Sequence, residues 1–294
     1  NNGGYSITVA GVNQNDPYAF KSETVDRGPA GDLNHWRGMV GTKGKFTINP
    51  RWTFGWNILA QTDKDFSRIY DVKDFTNYVQ RNEVYLTGLN DRNYFDARIM
   101  KFKVQEQALT SDPNSFDGKQ PWVLPSIDYS YIPNEPVAGG ELEFDANVQS
   151  LYRYRLDKPG TVDQFGNPVP LVRGVDGSDG RFTAQVKWRR QFITDLGIVI
   201  TPSLGLRGDA IYTNYSPGTF TAIGDMATAL GTGTDFRSQY YRYMATAGLE
   251  VAWPLLFSTP GASHVIEPVA QIFLRPNEQY VGNLGIPNED AQSM

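Results

Sequence analysis

Cysteine is absent from the 294-residue sequence, and histidine occurs only twice, at His35 and His264. Without cysteine the chain has no disulfide framework and no thiolate metal site. Two histidines so far apart in sequence leave little for a histidine-based metal site or a catalytic triad. The sequence therefore predicts no catalytic residue, no bound metal and no cofactor.

Long apolar runs are also missing. No window approaches the roughly 20 apolar residues that a membrane-spanning helix needs, and the mean hydropathy is −0.43. This excludes a helical membrane protein but leaves a barrel open, because barrel strands present only half of their residues to lipid. The net charge of −5 argues against non-specific nucleic-acid binding. An initiator methionine and a signal peptide are missing too, so we interpret the chain as an internal or processed piece.

Aromatic residues and glycine are plentiful, with 16 Tyr, 16 Phe, 6 Trp and 29 Gly, a composition that suits strands and turns. The clearest pattern lies in residues 246–276, which read as two strands joined by a turn. One face carries Ala247, Leu249, Val251 and Trp253, then Ile266, Pro268, Ala270, Ile272 and Leu274; the other carries Gly248, Glu250, Glu267, Gln271 and Arg275. Strict alternation predicts a sheet with one apolar and one polar side. Water outside a core, or lipid outside a wet lumen, would both explain it.

The same alternation recurs along the chain. Predicted strands cover residues 4–12, 35–48, 51–63, 77–89, 94–106, 125–133, 140–153, 181–192 and 197–212, followed by the two arms within 246–276. Long and short connections alternate, which predicts an up-and-down meander with all long loops at one end. Outer-membrane barrels have this arrangement, whereas a soluble sandwich mixes crossover lengths. Strands of about ten residues are also close to the length that crosses a bilayer at a tilt.

We therefore expect an all-β fold, namely part of an antiparallel up-and-down transmembrane β-barrel with about eleven strands of a larger barrel. Residues 1–294 are expected to form one barrel domain without a helix. Apolar residues switch faces near Ile99 and Met100, which indicates a β-bulge there. Pro202 and Pro268 are expected at bulges or unpaired positions.

Charged side chains on the polar faces are the candidate lumen residues. An acidic row could be catalytic or could bind cations, but a wetted barrel wall explains it without chemistry. A basic row could bind phosphorylated sugar, or pair with the acidic row and brace the wall. The lumen-facing candidates are Glu141, Glu143, Asp145, Asn147, Arg181, Lys187, Arg189, Arg207, Asp209, Glu250 and Glu267.

Five tryptophans could stack on carbohydrate or anchor strand ends at a membrane interface, and the interface is the commoner use. They are Trp36, Trp52, Trp56, Trp188 and Trp253.

Several short segments, taken in order, resemble the LptD family of outer-membrane lipopolysaccharide-assembly proteins. The segments are 91–95 (DRNYF), 125–131 (PSIDYSY), 139–142 (GGEL), 150–153 (SLYR), 188–190 (WRR), Thr201 with Pro202, 248–250 (GLE), 264–268 (HVIEP) and 287–290 (PNED).

The resemblance implies a large barrel in the bacterial outer membrane that delivers lipopolysaccharide to the outer leaflet, through a seam between the first and last strands. Its implied partners are lipopolysaccharide, outer-membrane lipid, an LptE-like plug lipoprotein in the lumen, and an LptA-like periplasmic bridge that acts through a jelly-roll domain. The jelly-roll and its cysteines have no counterpart in these residues, and the seam strands are expected to lie outside them.

Three other functions remain open at this point. The wall could belong to a porin or a substrate-specific channel. An outer-membrane lipid hydrolase would need a serine paired with His35 or His264. A soluble extracellular β-protein would carry the same alternation around a dry core.

Overall fold

In the computed structural model the described residues are 2–15, 35–105, 118–156, 174–231, 233–277 and 279. They form fourteen strands and two helices. The strands are β1 (Gly3–Asn13), β2 (Trp36–Asn49), β3 (Trp52–Gln61), β4 (Val79–Asn90), β5 (Asn93–Val104), β6 (Trp122–Tyr131), β7 (Glu141–Arg153), β8 (Gly177–Arg189), β9 (Phe192–Ile193), β10 (Val199–Tyr215), β11 (Gln239–Ala252), β12 (Leu255–Thr259), β13 (Ala262–Ile266) and β14 (Val269–Leu274). The helices are α1 (Phe66–Ile69) and α2 (Pro217–Leu230).

One antiparallel sheet dominates this part of the chain. Its strands run in the order β1-β2-β3-β4-β5-β6-β7-β8-β10-β11-β14, with the short β9 paired to the start of β10. Neighbours in sequence are neighbours in the sheet, so the predicted meander of eleven strands is confirmed. The edges of the sheet are β1 and β14. We call the end with the connections after β2, β4, β6, β8 and β11 the short-connection end, and the opposite end the long-connection end.

The two faces of the sheet differ in polarity across its whole width. Directly paired residues of antiparallel strands point to the same side. Leu142 of β7 pairs with Trp188 of β8, and the next rung pairs Glu143 with Lys187. The same phase carries through to β1, where Tyr5, Ile7 and Val9 project from one face and are more than 60% exposed. Apolar side chains therefore cover one face (the apolar face) and charged ones the other (the polar face).

Aromatic rings on the apolar face lie against strand glycines. A Cβ on Gly44 would be 2.4 Å from the Trp56 ring. That ring also stacks on Phe46 at 5.6 Å, and its Nε1–H donates to the Thr42 hydroxyl at 3.0 Å. Glycine thus leaves room for a large ring whose only polar atom has a partner, which suits a surface without water.

The bulge lies in β6 and not in β5, where the sequence predicted it. Val123 and Ser126 of β6 are separated by two residues, whereas their partners in β5 and in β7 are separated by one. The ladder between β4 and β5 is uninterrupted. The alternation in β5 looked broken because Met100 and its apolar neighbours lie on the polar face at the end where Val104 is buried. Pro125 occupies the bulge, where its missing N–H costs no ladder bond.

Pro202 meets the expectation of an unpaired position on one side. It pairs with Leu249 in regular register on the β11 side. On the other side the strand partner is interrupted between β8 and β9, and the Pro202 carbonyl accepts the Arg190 N–H at 3.2 Å. The absent proline N–H faces this interruption, so no ladder bond is lost.

The connection between β3 and β4 folds onto the polar face, although it reads as a charged loop in the sequence. Phe66 of α1 and Phe75 pack with Met39 and with Leu59, an apolar residue on the polar face of β3. The Phe75 ring is 1% exposed and lies directly over Gly41. A small core therefore forms on the polar side of β2 and β3, and Leu59 is one of its members.

A buried ion pair fixes the start of that connection. Arg37 of β2 binds the Asp63 carboxylate at 2.7 Å, and the two side chains are 4% and 2% exposed. Gln105, fully buried after β5, accepts the Ser67 hydroxyl at 2.7 Å and donates to the Phe75 carbonyl at 2.8 Å. These bonds give partners to the Asp63 carboxylate, the Ser67 hydroxyl and the Gln105 amide, which the fold buries.

The absence of helices was predicted wrongly. Besides the single turn of α1, the connection after β10 contains the 14-residue α2. Pro217 occupies its first turn and Gly231 ends it with φ of 63°, which is the usual asymmetry of helix ends. Ser216 and Thr219 both donate to the Asp176 carboxylate just before β8, so this contact holds the start of the helix against the sheet. No described helix is long and apolar enough to cross a membrane.

Residues 246–276 form more than the single hairpin predicted. The arms β11 and β14 pair as expected, but β12 and β13 form a second hairpin between them. Strands also begin earlier than predicted at Trp122 and Gly177, because β6 and β8 extend beyond their proline- and glycine-rich flanks. Of the loops predicted over residues 13–34, 107–124 and 154–179, residues 16–34, 107–117 and 157–173 lie outside the described residues.

Candidate functional site

The polar face carries its densest charge on β7 and β8. Lys187 lies 3.5 Å from Glu143 and 3.2 Å from Asp145. The Glu141 carboxylate receives Arg189 at 2.7 Å and, on its other oxygen, Arg92 from the turn before β5. Facing acidic and basic rows therefore neutralise each other across one ladder. This arrangement supports the interpretation in which the rows brace the wall.

Asp209 of β10 is the centre of a second cluster. Its carboxylate accepts the Thr183 hydroxyl at 2.5 Å and pairs with Arg207 at 3.2 Å and Arg242 at 3.4 Å. The Asp209 side chain is 8% exposed, so the carboxylate depends on these partners for its stability. Arg181, two residues before Thr183, is also buried on this face.

A third cluster was missed in the sequence. Arg98 of β5 pairs with Asp96 at 2.6 Å and with Glu83 of β4 at 3.2 Å. Arg81 binds the same Glu83 at 2.9 Å. These residues do alternate with apolar ones, but apolar residues at the other end of β5 obscured the pattern. The available signal was that opposite charges sit two residues apart within each strand.

The remaining candidates differ in placement. Asn147 lies on the polar face and donates to Asp128 at 2.6 Å, and Glu250 accepts the Gln271 amide across β11 and β14. Glu267 lies between β13 and β14 and belongs to neither strand. Its prediction as a sheet residue was wrong, because strand pairing lapses between Ile266 and Pro268 before the ribbon continues as the hairpin β12–β13.

A cleft of about 660 Å³ opens on the polar face at the short-connection end. Its walls combine cationic and anionic side chains with the hydroxyls of Thr201 and Ser203. Charged groups lining it are Arg92, Arg189, Arg190, Glu135, Glu141 and Glu250. Equal numbers of each sign make the cleft polar and nearly neutral, so it suits hydroxyl-rich or zwitterionic groups better than a single strong ion.

Four of the five candidate tryptophans lie at strand ends. Trp36 begins β2 at the long-connection end and is 71% exposed. Trp52 begins β3 at the opposite end. Near that same end, Trp188 donates to the Val137 carbonyl at 2.8 Å and Trp253 to the Leu196 carbonyl at 3.0 Å. Trp56 lies in mid-strand instead. The role of these rings at a membrane interface stays a prediction.

The two histidines lie at opposite ends of the sheet. His35 precedes β2 and its Nδ1 lies 2.8 Å from the Gln14 carbonyl. His264 is exposed in β13, opposite Phe257. Among the residues that the structure describes, no group of three or more His, Asp or Glu side chains is placed to hold a metal ion.

Comparison with known protein families gives a match over most of the chain. The family model described as LptD, LPS transport system D, matches residues 35–294. No curated protein matches the chain. The matched range begins at β2 and includes every later strand and both helices.

Proposed function

Because the chain belongs to the LptD family of outer-membrane lipopolysaccharide-transport components, we propose that it forms part of the barrel wall through which lipopolysaccharide is inserted into the outer leaflet. The family is a transport component, so the expected action is movement of a lipid without a bond made or broken. The energy for this movement has to come from elsewhere in the transport system.

The opposed faces of one continuous sheet carry this proposal. The apolar face exposes Ile7, Leu204 and Leu206 with more than half of each side chain accessible, which would be costly in water and is favourable in lipid. On the other face, the ion pairs around Glu141, Lys187 and Asp209 keep charge in a wet interior without leaving it unpaired. Such a wall tolerates sugar and phosphate on one side and acyl chains on the other.

The proposed partners come from the family resemblance. An LptE-like lipoprotein occupies the lumen beside the polar face, and the cleft at the short-connection end is a site where its polar side chains fit. An LptA-like bridge delivers lipopolysaccharide through the family's jelly-roll domain. The near neutrality of the cleft favours contact through hydrogen bonds over contact through net charge.

Photo-crosslinking tests the proposal at two neighbouring positions whose side chains lie on opposite faces of the sheet. In the full-length protein in cells, a photoreactive residue at Glu143 is expected to capture lipopolysaccharide or the plug lipoprotein. The matched position is Phe144, which faces lipid and is expected to capture phospholipid. Depletion of the protein should also reduce lipopolysaccharide in the outer leaflet, and unchanged surface lipopolysaccharide would refute the proposal.

A channel is the second candidate, since the polar face alone would line an open pore equally well. Conductance in planar bilayers separates the two functions. A wall that surrounds a plug is expected to conduct little, whereas a porin-like current that persists with the plug lipoprotein bound would favour the channel. A lipid hydrolase would need a serine beside one of the histidines, but His35 contacts the Gln14 carbonyl and His264 lies opposite Phe257. Replacing both with Ala is expected to leave transport unchanged.

A further inference from the structure

The hairpin β12–β13 is a continuation of the β11–β14 ribbon beyond the sheet. Ala252 pairs with Val269 at the end of the sheet, and the Trp253 N–H donates to the Pro268 carbonyl at 3.0 Å. Two residues farther along, Leu255 pairs with Ile266 in the same register. The neighbouring β10 begins opposite Ala252, so the ribbon extends past its neighbour at the short-connection end.

The base of this extension carries apolar side chains on both faces, together with His264 and the charged Glu267, and none of the described residues covers the apolar ones. Leu256 and Val265 form one rung and are 68% and 65% exposed. On the opposite face Phe257 and Ile266 are at least half exposed. Near Trp253, β9 and the turn that follows it expose Ile193 and Leu196 by about three quarters. We call these six side chains the apolar apron.

Such a surface needs a partner. An isolated two-stranded ribbon is marginally stable at best in water, and contiguous exposed apolar side chains mark an interaction surface. The apron also adjoins the apolar face of the sheet, because Trp253 at the end of β11 donates to the Leu196 carbonyl. In the shared register Phe257 and Ile266 continue the apolar face of the sheet beyond its last rung, whereas Leu256 and Val265 continue its polar face.

Polarity changes along the ribbon with distance from the sheet. The Leu256–Val265 rung lies three residues beyond Trp253, which is about 10 Å along a strand and roughly 8 Å in depth for a strand tilted by about 40°. The headgroup layer on each side of a bilayer is of similar thickness, roughly 5–8 Å. Farther out the ribbon carries Ser258 paired with Ser263, Thr259, and the turn at Gly261. Apolar residues thus stop where the interfacial layer would end.

We propose that the apolar apron is embedded in the phospholipid interface of the leaflet at the short-connection end, with the ribbon tip in water. Phospholipid surrounds both faces of the ribbon base, which a groove on a single protein partner would not cover equally. Trp253 lies at the level where tryptophans anchor membrane proteins. The apron fixes the depth of the β10–β11–β14 side of the barrel, whatever cargo the barrel carries.

Spin labels on the ribbon measure directly whether the apolar apron lies in lipid or in water. Single cysteines at Leu256, Phe257 and Val265 carry the label in full-length protein otherwise free of cysteine, reconstituted in vesicles of phosphatidylethanolamine and phosphatidylglycerol. The ratio of oxygen to nickel-complex accessibility is expected to be severalfold higher at these positions than at matched labels on Ser258 and Gly261. All the labelled side chains are exposed, so folding is expected to persist, and heat-modifiable migration on gels checks it.

Two other outcomes would overturn the proposal. High nickel accessibility at all positions would place the whole ribbon in water. Low accessibility to both reagents at Leu256 and Val265 would mean that protein covers this rung, including a second copy of the chain. The photo-crosslinking experiment can fail to capture lipopolysaccharide without any change in these accessibility ratios. The two proposals are therefore tested independently.

Discussion

Replacing Phe75 with Ala is the sharpest test of the connection that folds onto the polar face between β3 and β4. The ring is 1% exposed and lies over Gly41, with the Lys43 ammonium 4.9 Å from its centroid. Truncating a buried phenylalanine costs about 3–5 kcal/mol because apolar contacts are lost and a cavity remains. The lower figure corresponds to a roughly hundredfold increase in the opening of this segment.

Hydrogen exchange of the reconstituted protein measures the opening. Amides in residues 62–78 that are protected in the native protein are expected to exchange about two orders of magnitude faster in the Phe75→Ala variant, whereas amides of β7 and β8 remain unchanged. The matched control is Ile69→Ala in the same segment, because Ile69 is 43% exposed and its truncation should have little effect. Equal exchange in both variants, or faster exchange throughout the sheet, would refute the inference that Phe75 fastens the segment to the wall.

Three further predictions concern the sheet itself. Asp209→Ala leaves two partly buried guanidinium groups without their carboxylate and is expected to lower the free energy of unfolding by about 2 kcal/mol. Arg189→Ala, at a side chain 68% exposed, should cost less than about 1 kcal/mol, and similar urea midpoints for the two variants would contradict this. Gly44→Leu forces the Trp56 ring away and should destabilise the sheet by about 1–3 kcal/mol. Gly4→Ala should not, because no atom lies within 4 Å of the added Cβ. An unchanged urea midpoint for Gly44→Leu would show that the ring is not held against Gly44. Spin labels at residues 142–145 should alternate between oxygen-accessible at even positions and nickel-accessible at odd ones, and accessibility without a two-residue period would refute the assignment of the two faces.

The meander could be predicted from the sequence because its information is local. Alternation in β7, from Glu141 to Val148, reports directly which side chains share a face. Antiparallel strands joined by short turns then pair with their sequence neighbours, so the strand order needs no long-range information. The family resemblance rested on the same strands, and the match over residues 35–294 confirms it.

The connections could not be predicted in this way. Phe66 and Phe75 lie in a segment whose charged residues indicate a loop, and they are buried only because Met39, Gly41 and Leu59 offer an apolar floor from strands far away in sequence. In the same way, the sequence of α2 shows little apolar periodicity. Its start is held by Asp176, which lies 40 residues before Ser216.

By itself the sequence determined the strands, their order and the two faces, since a side-chain period of two and short turns are local properties. Only the tertiary structure decided which charges meet, that the bulge lies at Pro125, and that the ribbon after β11 leaves the sheet with its apolar base uncovered. These features depend on register and on contacts between distant segments. A shift of one residue would move every side chain to the other face, so they are fixed only when the whole sheet is assembled.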